Sequence, residues 1–453
     1  MRARLVMATL AALVAAAGCT MRTRVPEAEQ LHTAVHGLSS VIVYDIMSPP
    51  QSSRVYAYAS VAAYETLRHG QAEYRSLAGQ LHGLRPVPEP RGGEQYDWPV
   101  AGTQAFMTVG RALVFSQGRM DSLRAIMHAE ARNRGVSAAV LERSLAYGDS
   151  VAQHILAWAR QDNYLQTRGY PKFTVTAAPG RWVPTPPAYM DAVEGNWRAL
   201  RPFVLDSSAQ FRPPPPAAFD TTPGSPFYQL AKEVYDTRRR LTDEQRAIAA
   251  FWDCNPYVMN VQGHAMFATK KISPGGHWMG IIGLASRKAN ADLMQSAEAY
   301  ARGAITMADA FISTWDEKYR SAVVRPETMI NKYIDERWEP LLQTPPFPEY
   351  PSGHSVVSTA VAAVLTNQFG PNFAFADSAE MEYGLPVRNF PSFEAAASEA
   401  AISRLYGGIH YRPAIEQGQA QGHKIGAMVL DRVHTHQRLA SVARPLAVQG
   451  RRP

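Results

Sequence analysis

Residues 345–365 read PPFPEYPSGHSVVSTAVAAVL. The prolines that open this stretch stiffen the chain, and the Ser352-Gly353 pair after them is typical of a helix start. The run VVSTAVAAVL that follows is ten residues long, well short of the ~20 that cross a bilayer. We therefore predict a buried core helix that the chain enters directly from a proline-rich segment.

Much of the remaining sequence has the same helical character. Apolar side chains recur at helical spacing in residues 31–48, and a Pro-Pro pair separates them from a second helix expected over residues 52–69. Ser137 suits the N-cap position of a further helix, and residues 242–245 (TDEQ) have the capping-box pattern. Since alternating β-branched runs are few, the predicted fold class is all-α, with two packed helical bundles.

A shift in composition divides the chain. Prolines crowd residues 166–226 and forbid long helices there. The predicted segments are an export sequence (1–19), an N-terminal helical half (20–165), a proline-rich connection (166–226), a C-terminal helical bundle (227–436) and a tail (437–453).

The N-terminal stretch MRARLVMATLAALVAAAGC has a basic start, an apolar run and small residues before Cys19. This is the pattern of a signal peptide. The small residues before the cysteine resemble a bacterial lipobox, which predicts a lipid anchor at Cys19 on the periplasmic face; ordinary cleavage and secretion is the alternative. No later apolar run is long enough to span a membrane, so we expect a mature chain without transmembrane segments.

Charge and cysteine content exclude other classes of protein. The formal net charge is +7; removal of Arg2 and Arg4 with the export sequence lowers it by two, to +5. This excess is too dispersed to indicate a nucleic-acid partner. Besides Cys19, the sequence contains one cysteine, Cys254, and no base lies beside it in sequence, so we expect an unpaired and inert thiol.

Three segments of the C-terminal half carry side chains suited to a tetrahedral oxyanion. In the first, Lys318 and Arg325 are seven residues apart, so both would project from one face if a single helix ran through them. Alone, this pair would be read as a solvated basic edge.

The second segment supplies Ser352, Gly353 and His354, where free N–H groups at a helix start would face an anion. Alone, it could be an ordinary helix cap. The third segment supplies Arg404 and His410 around a Gly-Gly pair, and an isolated histidine there would be read as structural.

Together, Lys-x6-Arg-Pro, Pro-Ser-Gly-His and Ser-Arg-x5-His resemble the signature of one superfamily. It unites vanadium-dependent haloperoxidases with type 2 phosphatidic-acid phosphatases and bacterial acid phosphatases. Residues 52–65 and 251–257 also look like segments of the long bacterial haloperoxidase-like members, which extends the resemblance to most of the chain.

The resemblance implies a vanadate cofactor ligated by His410, with hydrogen peroxide, a halide and an organic acceptor as reaction partners. His354 would exchange a proton with bound peroxide, and Phe347 could line a halide pocket or only fill space. The residues that would bind the vanadate oxygens are Lys318, Arg325, Ser352, Gly353 and Arg404.

Two alternatives remain open. In a periplasmic acid phosphatase, phosphate would occupy the same site and His410 would form a phosphohistidine. The family pattern often has an aspartate four residues after this histidine, where this chain has Ala414, which weighs against hydrolysis unless Glu416 or a backbone carbonyl holds the ring. The second alternative is a non-catalytic, anion-binding lipoprotein.

Overall fold

A computed structural model describes residues 26–176 and 178–436. The export sequence with Cys19 and the tail of residues 437–453 lie outside the described residues. Within the described ranges the chain forms fourteen α-helices, which confirms the all-α prediction. In chain order they are α1 (Glu27–Tyr44), α2 (Pro49–Leu67), α3 (Trp98–Leu113), α4 (Gln117–Asn133), α5 (Ala138–Ala159), α6 (Tyr164–Thr167), α7 (Pro226–Arg239), α8 (Asp243–Phe251), α9 (Pro274–Lys288), α10 (Leu293–Ser321), α11 (Pro326–Tyr333), α12 (Gly353–Phe369), α13 (Phe393–Tyr406) and α14 (Arg412–Arg432).

Strands are few and short in the described part of the chain. β1 (Met259–Gln262) pairs with β2 (Ala265–Ala268), and β3 (Phe375–Asp377) pairs with β4 (Arg388–Phe390), both antiparallel. Two strands of three or four residues cannot form a layer of a core. The fold therefore depends on helix packing.

Two of the predicted helix starts are confirmed by their caps. The Ser137 side chain accepts a hydrogen bond from the Val140 N–H at the start of α5. Thr242 and Gln245 form a reciprocal capping box at the start of α8. These caps satisfy N–H groups that have no partner within the helix.

The first predicted helix was placed too far along the chain. It ends at Tyr44 rather than near residue 48. Ser48 instead caps the next helix, in which Pro49 occupies the first turn. Proline has no N–H to lose at this position and its φ suits a helix, so the Pro-Pro pair begins α2 rather than only ending α1.

The long helix α10 occupies the centre of the molecule. It is buried along most of its 29 residues and packs against α2, α9 and α12. Its side chains belong to a core cluster with residues of α2, α5 and α12. The division into two halves with a proline-rich connection stays a prediction.

Lys318 and Arg325 do not share one continuous helix. α10 ends at Ser321, and Ala322 adopts the left-handed conformation with φ of 47°. Arg325 then occupies the N-cap position of α11. The two cations reach the same region from two elements, because this turn redirects the chain between them.

Helices α12 and α14 approach closely along three glycines of α14. A Cβ at Gly418 would lie 3.0 Å from the Ser352 carbonyl oxygen, and one at Gly422 would lie 2.5 Å from that of Val356. At Gly426 the corresponding distance to the Ala360 carbonyl oxygen is 2.9 Å. The spacing of these glycines thus lets α14 lie directly against the backbone of α12.

No helix in the described ranges is both long enough and apolar enough to cross a membrane.

Replacement of Gly422 by alanine tests this close contact. The added methyl group must push apart two backbones, so we expect Gly422→Ala to lower the free energy of unfolding by about 1–3 kcal/mol. Gly118→Ala is the matched control, since a Cβ at this helical position meets nothing within 4 Å. Thermal and denaturant unfolding should separate the two variants; equal midpoints would contradict the packing.

Candidate oxyanion site

Three cations from three elements are buried side by side. Lys318 lies in the last turn of α10, Arg325 caps α11, and Arg404 lies in the last turn of α13. Their side chains are 0%, 0% and 1% exposed. None forms an ion pair with a carboxylate among the described residues, although a buried charge is costly unless it is paired.

Backbone carbonyls hold the first two cations in place. The Lys318 Nζ donates to the carbonyl oxygens of Pro348 and Glu349 at 2.9 and 3.0 Å. The Arg325 Nε donates to the Phe347 carbonyl at 2.9 Å and its Nη1 to that of Ile409 at 2.8 Å. An ammonium has three N–H donors, so Lys318 keeps one for another acceptor.

Both guanidinium groups also have a buried nitrogen without a hydrogen-bond partner. The Nη2 atoms of Arg325 and Arg404 are inaccessible to solvent and have no acceptor within the described part of the chain. A buried unsatisfied donor costs about 1–3 kcal/mol, more when it is charged. Two such atoms in one site indicate a missing anionic acceptor.

His410 lies between a carboxylate and a guanidinium. Its Nδ1 is 2.8 Å from Glu349 Oε1, and its Nε2 is 3.1 Å from Arg325 Nη1. Burial, then Arg325 and Lys318, hold the His410 pKa well below its usual range. The neutral ring therefore carries its proton on Nδ1, toward Glu349, and presents the Nε2 lone pair to the site.

Glu349 is the functional residue that the sequence analysis missed. Its carboxylate also accepts the Tyr411 N–H at 3.0 Å, and burial raises its pKa to about 7. It holds the His410 ring in place of the aspartate that this chain replaces by Ala414, a role that the sequence left to Glu416 or a backbone carbonyl. Its place in the proline-rich stretch 345–351 was the available signal, but the 61-residue separation from His410 concealed the pairing.

His354 opens the first turn of α12 and faces Arg404. The Arg404 Nη1 lies 3.5 Å from the His354 Nε2, and the ring also hydrogen-bonds the backbone of Trp252. Burial, then Arg404, hold the His354 pKa well below its usual range. A neutral imidazole beside the Arg404 guanidinium can accept a proton and return it.

Ser352 caps α12, as its place before the glycine predicted. Its Oγ accepts the N–H and the O–H of Ser355 at 3.3 and 2.9 Å, which leaves its own hydroxyl hydrogen free to donate. The Gly353 N–H belongs to the first turn, where N–H groups have no partner within the helix. Together with the helix dipole, these donors favour an anion.

Phe347 supports the cations from one side. Its ring centroid is 5.2 Å from both the Lys318 Nζ and the Arg325 guanidinium carbon, and 5.0 Å from the Trp315 ring. Phe347 also lines a cavity of about 30 Å³ together with His354, Arg404 and His410. Organic ligands occupy pockets of about 300–1,000 Å³, so this cavity suits a small ion.

The structure thus brings together all the predicted site residues that lie in the described ranges: the three cations, both histidines, Ser352, Gly353 and Phe347. With the histidines neutral, three positive charges face one carboxylate. This arrangement defines an enzyme class that binds a multiply charged oxyanion in a helical bundle.

Comparisons with known proteins agree with this class. The family model described as VCPO second helical-bundle domain matches residues 298–438. The crystal structure of the first bacterial vanadium-dependent iodoperoxidase is similar with a TM-score of 0.85 and 50% identity, over 91% of this chain and 97% of that chain. The chain belongs to the vanadium-dependent haloperoxidase superfamily.

More distant structures share the fold. The holo-type bacterial vanadium-dependent chloroperoxidase has a TM-score of 0.65 at 16% identity, over 86% of this chain and 94% of that chain. The apo-type enzyme has a TM-score of 0.66 at 16% identity, over 85% and 94%. Among curated proteins, none is significantly similar in sequence.

The charge on Lys318 gives a pH-dependent prediction. Burial, then Arg325, hold the Lys318 pKa well below 10.5, so the ammonium loses its proton as pH rises through this lowered value. We expect sulfate affinity, measured by calorimetry over a pH series, to fall roughly tenfold to a hundredfold as Lys318 loses this proton. Sulfate keeps a fixed charge over this range. Lys318→Gln should bind more weakly with a flatter pH profile; parallel profiles would refute the assignment.

Proposed function

We propose that the protein is a vanadate-dependent haloperoxidase that oxidises a halide with hydrogen peroxide. The observation that carries the proposal is the pair of buried, partnerless Nη2 atoms of Arg325 and Arg404 in the site that His410 Nε2 faces. Membership of the haloperoxidase superfamily identifies the missing acceptor as vanadate.

The site residues fit vanadate. His410 would ligate vanadium through Nε2, because its other nitrogen is fixed to Glu349. The vanadate oxygens would be bound by the donors that have capacity to spare: Lys318, Arg325, Arg404, the Ser352 hydroxyl and the Gly353 N–H. Bound vanadate supplies a Lewis acid that activates hydrogen peroxide toward a two-electron oxidation of halide.

The chain's own residues contribute binding and proton transfer. The three cations are buried, so their charges are poorly screened and draw electron density from a bound oxyanion. His354 accepts a proton at Nε2 when peroxide enters, since its lowered pKa leaves the ring neutral at working pH. Glu349 orients His410 and stabilises its ligating form.

We propose iodide as the preferred halide, supported by the iodoperoxidase at 50% identity. Phe347 and Trp315 give the cavity a polarizable aromatic wall next to Lys318, which favours contact with a polarizable halide. The cavity of about 30 Å³ is too small for an organic acceptor, so the acceptor would react with oxidised halide outside it.

The phosphatase alternative stays a prediction. Ala414 was the residue that weighed against it, but Glu349 supplies the carboxylate that Ala414 lacks, so this argument no longer separates the two reactions. The support for peroxidase is the superfamily membership together with the iodoperoxidase relative. The non-catalytic lipoprotein alternative is separated by the assay below.

Export stays a proposal as well. We propose a periplasmic protein anchored through a lipid at Cys19, supported by the pattern of residues 1–19. Metabolic labelling with a radioactive fatty acid should mark the wild type and leave Cys19→Ala unmarked. Labelling of neither protein would favour ordinary secretion.

The assay that tests the proposed function is iodide oxidation with hydrogen peroxide, with and without orthovanadate. We expect activity only with vanadate, and loss to background in His410→Ala, because no ligand remains for vanadium. His423→Ala, at an exposed position of α14, is the control and should keep full activity. Vanadate-independent activity would contradict the proposal. If the protein instead hydrolyses an aryl phosphate and vanadate inhibits this hydrolysis, it is a phosphatase. If it binds phosphate but shows neither activity, it is the non-catalytic protein.

Glu349→Gln tests the carboxylate behind His410. Glutamine can still accept the Nδ1–H but does not stabilise positive charge on a ligating ring, so we expect vanadate affinity to fall roughly 10- to 100-fold. Glu298→Gln is the control, since this buried carboxylate pairs with Thr435 and Arg302 instead. Affinity is read from vanadate titrations of activity. An unchanged affinity in Glu349→Gln would show that the pair has no role in cofactor binding.

A further inference from the structure

A second polar cluster is buried behind the wall of the oxyanion cavity. It contains Cys254, just after α8, His277, in the first turns of α9, and Glu380, shortly after β3. All three side chains are nearly inaccessible, at 1%, 0% and 4% exposure. Cys254 also lines the cavity that holds Arg404 and His354.

Little in the sequence indicates this cluster. Cys254 has no base nearby in sequence and was expected to be inert, but the His277 Nδ1 lies 3.4 Å from its sulfur. The Gly275-Gly276-His277 stretch begins a helix capped by Ser273. The fold brings together residues that are 23 and 126 positions apart.

The distances within the cluster match a tetrahedral metal site. The Cys254 Sγ is 3.4 Å from His277 Nδ1 and 3.6 Å from Glu380 Oε1, and these two atoms are 3.0 Å apart. Tetrahedral zinc with ordinary bond lengths separates sulfur from nitrogen or oxygen by about 3.5 Å, and nitrogen from oxygen by about 3.3 Å. The three ligand atoms thus have nearly the mutual separations that one tetrahedral ion requires.

The surroundings of His277 also suit a metal ligand. Its second ring nitrogen, Nε2, is 2.8 Å from Asp377 Oδ2, the carboxylate-histidine arrangement that orients metal-binding imidazoles. The Trp252 ring stacks on the imidazole at 4.6 Å and restricts its rotation. His277 therefore directs Nδ1 toward Cys254 and Glu380 in a fixed orientation.

Charge is compatible with a divalent cation. Two buried carboxylates, Asp377 and Glu380, contact a single histidine. Zinc replaces the proton of the Cys254 thiol and one imidazole proton, so two positive charges enter as two leave. A thiolate ligand favours zinc over calcium and magnesium, which prefer oxygen ligands.

We propose that Cys254, His277 and Glu380 bind a zinc ion that is separate from the oxyanion site. The ion joins the end of α8, the start of α9 and the segment after β3. It fixes the part of the cavity wall that contains Cys254 and the Trp252 backbone, which contacts His354. It also keeps the Cys254 thiolate bound to metal beside a cavity in which, on the proposed function, strong oxidants form.

Elemental analysis tests the proposal. Untagged protein from zinc-supplemented medium, dialysed against metal-free buffer, should contain about one zinc per chain, with vanadium counted separately in the same measurement. Cys254→Ser and Glu380→Gln, which preserve size and hydrogen bonding, should lose at least nine-tenths of the zinc. His264→Asn, at an exposed position of the β1–β2 hairpin, should retain it.

Cobalt substitution supplies a readout on the wild-type chain, which does not depend on the folding of a variant. Protein from cobalt medium should show the thiolate-to-cobalt charge-transfer absorption, displaced by added zinc. Wild-type protein without bound zinc and without this absorption would overturn the proposal. Zinc content equal in wild type and Cys254→Ser would overturn it too, since the metal would then be bound elsewhere.

Discussion

The site is built on three positive charges that are buried without an ion-paired carboxylate. Lys318, Arg325 and Arg404 are removed from water, and neutral backbone carbonyls rather than carboxylates hold the first two. Such an arrangement is unfavourable until an oxyanion enters. Packing of the helical core therefore offsets the cost of burying these charges, and a bound oxyanion balances them.

The helices around this site serve to hold it rigidly. The backbone contact between α12 and α14, permitted by Gly422 and its neighbours, fixes the first turn of α12, in which Gly353 and His354 lie. The proline-rich segment before α12 supplies the carbonyls that bind Lys318 and Arg325. One short stretch, residues 345–354, thus provides the cation supports, the helix start, the aromatic wall and Glu349.

The sequence predicted that the residues of the oxyanion site lie together, but it did not predict the path of the chain between them. Three motifs with distinctive spacing indicated that Arg325, Arg404 and His410 meet, and the structure places them together. The left-handed turn at Ala322 contains no glycine, the usual signal of such a turn. The prediction of one continuous helix from Lys318 to Arg325 was therefore wrong. Glu349 and the Cys254–His277 contact join residues distant in sequence, and only tertiary packing creates such pairs.

The most direct test of the account is a crystal structure of the protein grown with orthovanadate. The account predicts a tetra-oxo ion on the Nε2 side of His410, with the Nη2 atoms of both Arg325 and Arg404 hydrogen-bonded to its oxygens. An ion bound elsewhere, with both Nη2 atoms still lacking partners, would contradict it.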